Sequence, residues 1–402
     1  MKYQESQVDQ RLRGWFCNDM TRGLLRGITI TSGHLRGLNK FRLDIDYPIA
    51  GIAGINGAGK STLLALACCA YHNNPQGFRL PSRQNSYYTF KDFFIQSASE
   101  VSPQGIEIYY KIAHNTWRIT TDNPDREGVK TQNRYKRNGG RWNDYSSRVR
   151  RNVAFIGIER VVPHYERSSS RSYSRTFRSN GVAGWENKAQ DAISYILEKD
   201  YQDLQYHVHS KYYLPVVRVG ATVYSGLNMG AGENALFEIF KIIHEIGPGG
   251  LLVIDEIELG LHIESQRRLM QELKKACLEN KVQIIFSTHS KSIFSCLPED
   301  ARFFVENHGA TTLLSCGISP EYAMKKMGSR TNTELEVYLE DGVAESILTI
   351  ALPHQMRQRI KLLEIGSAQC LSRQLAASYL RNPDGHFKIP HLWPGQNPPA
   401  TE

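Results

Sequence analysis

Hydrophobic positions recur with helical spacing in the second half of the chain. Between residues 233 and 246, Leu236, Ile239, Phe240 and Ile243 fall on one face, which predicts an amphipathic helix. Gly247, Pro248, Gly249 and Gly250 end it. Leu251, Leu252, Val253 and Ile254 form an unbroken apolar run of a length suited to a fully buried strand. Residues 265–280 return to helical spacing, with Leu269, Leu273, Ala276 and Cys277 inward, and 282–286 reads as a second buried strand. Strand, helix, strand in this order predicts a parallel sheet with crossover helices.

The first half alternates more. Residues 28–30 and 41–45 read as strands of a small antiparallel layer, while residues up to about 27 are polar and carry little signal. Residues 48–52 predict a short buried strand and 61–70 an apolar helix. Residues 105–113 and 117–121 predict a hairpin turning at His114 and Asn115. An apolar strand is expected at 153–158 and a helix at 189–201, with Ala192, Ile193, Ile196 and Leu197 on one face. Residues 166–179, rich in Arg and Ser without apolar period, predict a mobile loop. No internal repeat is visible.

The chemistry begins between the first buried strand and the helix after it. Gly54, Ile55, Asn56, Gly57, Ala58, Gly59, Lys60, Ser61 and Thr62 fit G-x-x-x-x-G-K-[ST], the P-loop. Its glycines let successive backbone N–H groups turn inward as a nest for phosphate oxygens, and the helix N-terminus faces the same anion. Lys60 is placed to reach the β- and γ-phosphates and Ser61 to give its hydroxyl to Mg²⁺. ATP with Mg²⁺ is the expected ligand.

The run 251–254 ends in Asp255 and Glu256, a Walker B pattern. Ligands bind at the C-terminal edge of such a sheet. Asp255 is expected to hold Mg²⁺ and Glu256 to polarise the attacking water. Ser287, Thr288, His289 and Ser290 follow the next strand, where a histidine can sense the γ-phosphate. Gly230, Ala231, Gly232 and Glu233, after Asn228, open the helix ahead of Walker B and offer free N–H groups to an anion. That helix start lies far from its own P-loop, so it is expected to serve a second subunit's nucleotide.

These spacings resemble an ATP-binding-cassette ATPase of the RecF, SMC and OLD kind over roughly residues 25–75 and 220–305. The run from Asp255 through Glu256, Ile257, Glu258, Leu259, Gly260 and Leu261 to His262 is especially similar to OLD-type ATPases, many of which serve bacterial antiphage defence. The resemblance implies an α/β fold of the ABC-ATPase head type, with a mixed or parallel sheet, a small antiparallel β layer and an inserted helical and basic arm. It also implies two heads sandwiching two ATP molecules, as a homodimer or higher oligomer. Glu256 then becomes the catalytic base, His289 the switch histidine and 260–262 the D-loop, with Lys60 completing the catalytic set. Gln96, at the end of an aromatic stretch, is the candidate Q-loop glutamine, contacting nucleotide and Mg²⁺. One departure stands out: the usual signature has a serine where this chain has Gly230, so its hydroxyl contact is missing or comes from Asn228.

Composition narrows the setting. With 402 residues, 41% hydrophobic and 22% charged, the chain is ordinary for a globular protein of two or three domains. The longest apolar run, at 63–71, is too short to span a bilayer and no leader is seen, so a cytoplasmic location is expected. Seven cysteines show no metal-ligand spacing and suit a reducing compartment. Net charge is +9, concentrated in residues 130–178, where thirteen Lys and Arg face three acids. With Tyr135, Trp142 and Tyr145 interleaved, this stretch predicts contact with nucleic acid.

Residues 334–345 read as a strand delivering acids and then a helix, and 360–366 as a second strand with a glycine turn. They resemble the opening of a Toprim domain, which OLD proteins carry after their ATPase, and Glu340 is then the first metal carboxylate. The resemblance also requires an Asp-x-Asp pair, but after Gly366 the only acids are Asp384 and Glu402. A partial module without cleavage activity is expected. The expected layout is an ATPase head over 1–330, with 76–220 as an inserted lid or arm, then the Toprim-like module and a disordered tail over 331–402. The expected function is an ATP-switched head coupled to nucleic acid or to an effector partner, plausibly a nuclease in phage defence. An ATP-regulated Toprim nuclease and a nucleotide-locked scaffold with negligible hydrolysis are the alternatives.

Overall fold

The apolar runs become the middle of one six-stranded sheet. Its order is Thr312–Cys316, Arg302–Asn307, Ile49–Gly54, Gln283–Ser287, Leu251–Ile254 and Val153–Ile156. The last five strands run parallel and the first is an antiparallel edge. Central parallel strands are buried on both faces, and their side chains divide with period two. Leu252, Ile254, Ile284 and Phe286 enter one core, while Leu251, Val253, Ile285 and Ile52 enter the other. In this computed structural model the described residues are 3–72, 76–100, 103–119, 124–138, 141–143, 147–162, 177–209, 212–309, 311–328, 335–353, 357 and 360–381.

Three helices, Glu186–Leu197, Ala231–Glu245 and Ile263–Asn280, fill the first core with Ile193, Leu236, Phe240, Leu269 and Leu273. The helix Lys60–Cys69 fills the second, and nine of its ten residues are buried, so it is apolar all round. Beyond it lies the antiparallel sheet, in the order Phe41–Asp44, Leu24–Ser32, Ile106–His114, Gly128–Lys136. Its inward residues Ile28, Ile30, Ile108 and Tyr110 pack on Leu63, Leu64 and Leu66. The glycine loop is thus held between two sheets at the end of a helix that has no exposed flank to move into.

The expected hairpin is corrected. Strand Ile106–His114 pairs with Gly128–Lys136, Ile112 opposite Lys130 and Tyr110 opposite Gln132, whereas 117–119 are irregular. The true partner is the sheet's outer edge. Val129, Thr131 and Asn133 face solvent, so its sequence reads polar and basic. The basic stretch is also less free than its composition suggests. Arg134, Arg148, Arg151 and Arg160 are buried. Arg148 donates to the carbonyls of Cys69 (2.6 Å) and Tyr88 (3.1 Å), and Arg151 to that of Gly249 (2.6 Å) and to Gln283 Oε1 (2.9 Å). These cations satisfy backbone carbonyls that would otherwise be orphaned in the core. Most of the loop expected at 166–179, and the tail from 382, lie outside the described residues.

The polar N-terminus folds as the helix Gln7–Asn18, which periodicity alone did not predict. Ser6 and Asp9 form a capping box, the Asp9 N–H donating to Ser6 Oγ (3.2 Å) and the Ser6 N–H to Asp9 Oδ2 (2.8 Å). Asp9 is fully buried and also pairs with Lys274 (2.7 Å) and accepts from Tyr47 Oη (2.7 Å). A further antiparallel sheet, Thr222–Ser225, Tyr212–Val219, Gln202–His209 and Arg178–Ser179, precedes the helix Ala231–Glu245.

The chain divides into two compact units, residues 2–330 and 331–402. The second contains the parallel pair Leu335–Leu339 and Ile360–Glu364, with the helices Gly342–Ala351 and Ala368–Arg381. Asp341 caps the first helix by accepting from the Ala344 N–H (2.9 Å), and Glu340, which directly precedes it, follows the first strand. Among the described residues no group of three His, Cys, Asp or Glu side chains is placed to hold a metal ion. No helix among them is long and apolar enough to cross a membrane.

Candidate functional site

The sheet order brings the three motifs to one edge. The strand Gln283–Ser287 lies between the strand entering the P-loop and the Walker B strand, so Ser287 meets groups from both sides. Gly57 (φ +81°) and Gly59 (φ +99°) adopt left-handed backbone that an L side chain resists, and a Cβ on Gly59 would stand 2.5 Å from Leu38 Cδ2. Ala58 is buried, while Ile55 and Asn56 face outward. The Lys60 ammonium lies buried inside the loop, donating to the carbonyls of Gly54 (2.8 Å) and Ile55 (3.1 Å). Burial lowers its pKa, and Asp255, Glu256 and Glu258 partly restore it.

Ser61 Oγ donates to Asp255 Oδ2 at 3.0 Å, joining Walker A to Walker B. The other Asp255 oxygen accepts from Ser287 Oγ, which in turn accepts from the Glu256 N–H at 2.7 Å. A hydroxyl and a carboxylate side by side are hard oxygen donors of the kind Mg²⁺ takes, so the residues present fit that ion. Thr62 Oγ1 turns away and donates to the Arg36 carbonyl at 3.0 Å. Glu256 sits at φ +49°, which turns the chain sharply after Asp255.

His289 is half-buried on the same edge. Its pKa is lowered by burial first and by Lys60 second, so the ring is held neutral. The His289 backbone N–H donates to Glu258 Oε1 at 2.5 Å, while Glu258 Oε2 is buried with no hydrogen-bond partner. Gln266 ties the D-loop to this segment, donating to the Leu261 carbonyl (2.8 Å) and accepting from Ser290 Oγ. Motif reading assigned no role to Glu258, Gln266 or Arg160. Glu258 stands in the sequence only as a member of the acidic run after Walker B.

Gly230 caps the helix Ala231–Glu245, and Gly232 packs directly on the D-loop. A Cβ on Gly232 would meet the Gly260 carbonyl oxygen at 2.0 Å. Glu233 Oε1 accepts from Tyr201 Oη (2.5 Å), Tyr224 Oη (2.5 Å) and Lys199 Nζ (3.1 Å). Burial raises the Glu233 pKa, but these donors outweigh it and hold the carboxyl below its ordinary range. Gln96 is exposed two residues beyond Phe94, in a segment held where Arg36 donates to the carbonyls of Phe93 and Ile95.

A strand, glycine loop and helix whose lysine and serine meet the aspartate of a nearby parallel strand define a P-loop ATPase-type domain. Such a domain implies nucleotide binding, usually with Mg²⁺. The family model described as "AAA domain, putative AbiEii toxin, Type IV TA system" matches residues 223–295, which hold the signature, Walker B and His289. No curated protein matches the chain. Among solved structures, it is similar to the SMC head domain from Thermotoga maritima, at 13% identity and TM-score 0.43 over 73% of this chain and 98% of that one. It is similar also to an SMC head bound to the C-winged helix domain of ScpA, at 13% identity and TM-score 0.46 over 73% and 97%. An SMC head with an extended coiled coil, derived from Pyrococcus furiosus and bound to the C-terminal domain of ScpA, gives 12% identity and TM-score 0.44 over 75% and 98%.

Proposed function

We propose that this chain binds and hydrolyses ATP with Mg²⁺, dimerises on the nucleotide, and uses that switch to act on a nucleic acid or an effector protein. The observation that carries the reading is the single edge on which Lys60, Ser61, Asp255, Glu256, Ser287 and His289 lie, with Ser61 bonded to Asp255 at 3.0 Å. The nest at 54–60 takes the phosphates, and Lys60 leaves its two carbonyl partners for the β- and γ-phosphate oxygens. Ser61 and Asp255 would hold the metal, which when bound would supply charge neutralisation at the phosphates. Glu256 orients the attacking water and His289, neutral, contacts the γ-phosphate. Gln96 joins the metal and nucleotide contacts as the Q-loop.

Gly230, Gly232 and Glu233 serve the nucleotide of a second head, with 260–262 beside them at the same interface. The Gly232–Gly260 contact supports this pairing, because it makes signature and D-loop one rigid surface. Among the described residues of the basic stretch, Arg137, Arg141, Arg150 and Arg178 are exposed, which supports contact with nucleic acid. The family description names a toxin of a toxin–antitoxin system, which agrees with a defence role of the OLD-like kind, exercised in the cytoplasm. Residues 2–330 are the head and 331–402 a partial Toprim-like unit without cleavage activity.

Steady-state hydrolysis tests the reading. Lys60→Ala is expected to lose ATP binding. Glu256→Gln is expected to keep binding, lose turnover and accumulate as an ATP-bound dimer in light scattering. A wild-type protein that neither hydrolyses ATP nor dimerises with it refutes the reading.

A further inference from the structure

We infer that Arg160 is the positioning residue that holds Glu256 in its working orientation. The inference rests on the ATPase reading for its consequence and on geometry for its cause. Glu256 is the residue just past the Walker B strand, and its backbone is left-handed at φ +49°. For a glutamate this conformation is disfavoured and persists only where the surroundings impose it. Two groups impose it here. Ser287 Oγ accepts from the Glu256 N–H at 2.7 Å, and Arg160 grips the peptide groups on either side of the turn.

Arg160 is 2% exposed. Its Nη1 donates to the Asp255 carbonyl at 2.7 Å and to the Gly157 carbonyl at 2.9 Å, and its Nη2 donates to the Glu256 carbonyl. The planar fork thus spans two successive carbonyls that point out of the sheet ladder at the bend. Placement follows from topology. Val153–Ile156 runs parallel beside Leu251–Ile254, with Ile156 opposite Ile254, and the Asp255 N–H donates to the Ile156 carbonyl at 2.9 Å. The short 3-10 turn Ile158–Val161 then brings Arg160 back over the end of the neighbouring strand. A lysine's single ammonium has no matching fork, and an apolar residue removes the side-chain donor from both carbonyls, leaving that of Glu256 with the Leu259 N–H (3.1 Å).

The arginine also brings a positive charge behind a carboxylate group made of Asp255, Glu256, Glu258 and Glu238, all of which act on it electrostatically. It therefore restrains the turn by hydrogen bonds and offsets the mutual repulsion of the acids. Arg160 touches neither the P-loop nor the signature in any bond described above. Its loss is expected to misdirect the Glu256 carboxylate without removing the phosphate cradle.

A cavity of about 560 Å³, lined among others by Phe155, Gly157 and Arg160, reaches the same side chain and gives a route for chemical rescue. Wild type, Arg160→Ala, Arg160→Lys and Glu256→Gln would be compared in ATP turnover and in binding of a fluorescent ATP analogue. Hydrogen–deuterium exchange of residues 254–261 would be followed in parallel. Arg160→Ala is expected to lower kcat by about tenfold or more, the scale set by small misplacements of a catalytic group, with KM and analogue binding near wild type. Arg160→Lys should fall between. Millimolar ethylguanidine should restore part of the Arg160→Ala turnover and none of that of Glu256→Gln. Exchange should quicken at 254–261 and stay unchanged at 60–69.

Unchanged kcat in Arg160→Ala overturns the inference, as does loss of turnover together with analogue binding that ethylguanidine does not restore. Unchanged exchange at 254–261 overturns it as well. A wild type without turnover refutes the ATPase reading instead, and the exchange data then decide the role of Arg160 by themselves.

Discussion

Gly232→Ala sets two physical effects against each other at the junction of signature and D-loop. Gly232 is the second residue of the helix Ala231–Glu245, and its φ is not in the left-handed region. On helix propensity alone, alanine there would stabilise by at most about 1 kcal/mol. Packing predicts the opposite sign. The added Cβ would stand 2.0 Å from the Gly260 carbonyl oxygen and 2.7 Å from its carbon, where ordinary contact begins at 3.4 Å. The D-loop must therefore retreat by the difference, 1.4 Å, and the obstacle is backbone and not a yielding side chain. Forced shifts of this kind cost about 1–3 kcal/mol, which exceeds the propensity gain. Net destabilisation of about 1–2 kcal/mol is expected in urea unfolding, with ATP binding to the single head preserved and dimer-dependent turnover reduced. A midpoint at or above wild type would refute the packing account, because propensity would then have won.

The neighbouring Gly230→Ser is the matched control: nothing lies within 4 Å of a Cβ there, so stability should change by less than about 0.5 kcal/mol. If the absent signature hydroxyl limits hydrolysis, its turnover at dimer-forming concentration should rise. Gly59→Ala, at φ +99° and 2.5 Å from Leu38 Cδ2, should distort the nest and weaken ATP binding measured by titration calorimetry. Asp9→Asn should lower the stability measured by urea unfolding by about 3 kcal/mol, since it leaves the buried Lys274 ammonium without its carboxylate. Burial raises the Asp9 pKa, but bonds from Lys274 and Tyr47 bring it from 3.8 to about 2. A depressed carboxylate stabilises fully above its unfolded value and loses that stabilisation as pH falls through the folded one. The gap between wild type and Asp9→Asn should accordingly narrow between pH 3.8 and about 2.

Much of the head was legible because its signals are local. The P-loop requires glycine at Gly57 and Gly59, a lysine and a hydroxyl at fixed spacing, and the surrounding strand and helix carry their own apolar patterns. The runs 251–254 and 284–286 are apolar on both faces because parallel central strands have no solvent side. Polar elements escaped for the complementary reason. Gly128–Lys136 is an edge strand whose outward face is wetted, and the helix Gln7–Asn18 is held by a capping box and a buried Asp9–Lys274 pair more than by a broad apolar stripe.

What the amino-acid order determined by itself was the set of local devices: the phosphate nest, the acid pair after a buried strand, the histidine after the next strand and the glycines at a helix start. Tertiary structure alone decided which of them touch. Inserting the strand Gln283–Ser287 between the other two puts Ser287 on Asp255, and the return of Val153–Ile156 to the far side puts Arg160 under Glu256. It also turned four cations of a basic stretch inward, because a buried carbonyl without a donor costs more than a guanidinium that satisfies two or three of them. Charge and spacing are properties of the chain, but whether a cation meets solvent or a carbonyl depends on which distant backbone arrives beside it.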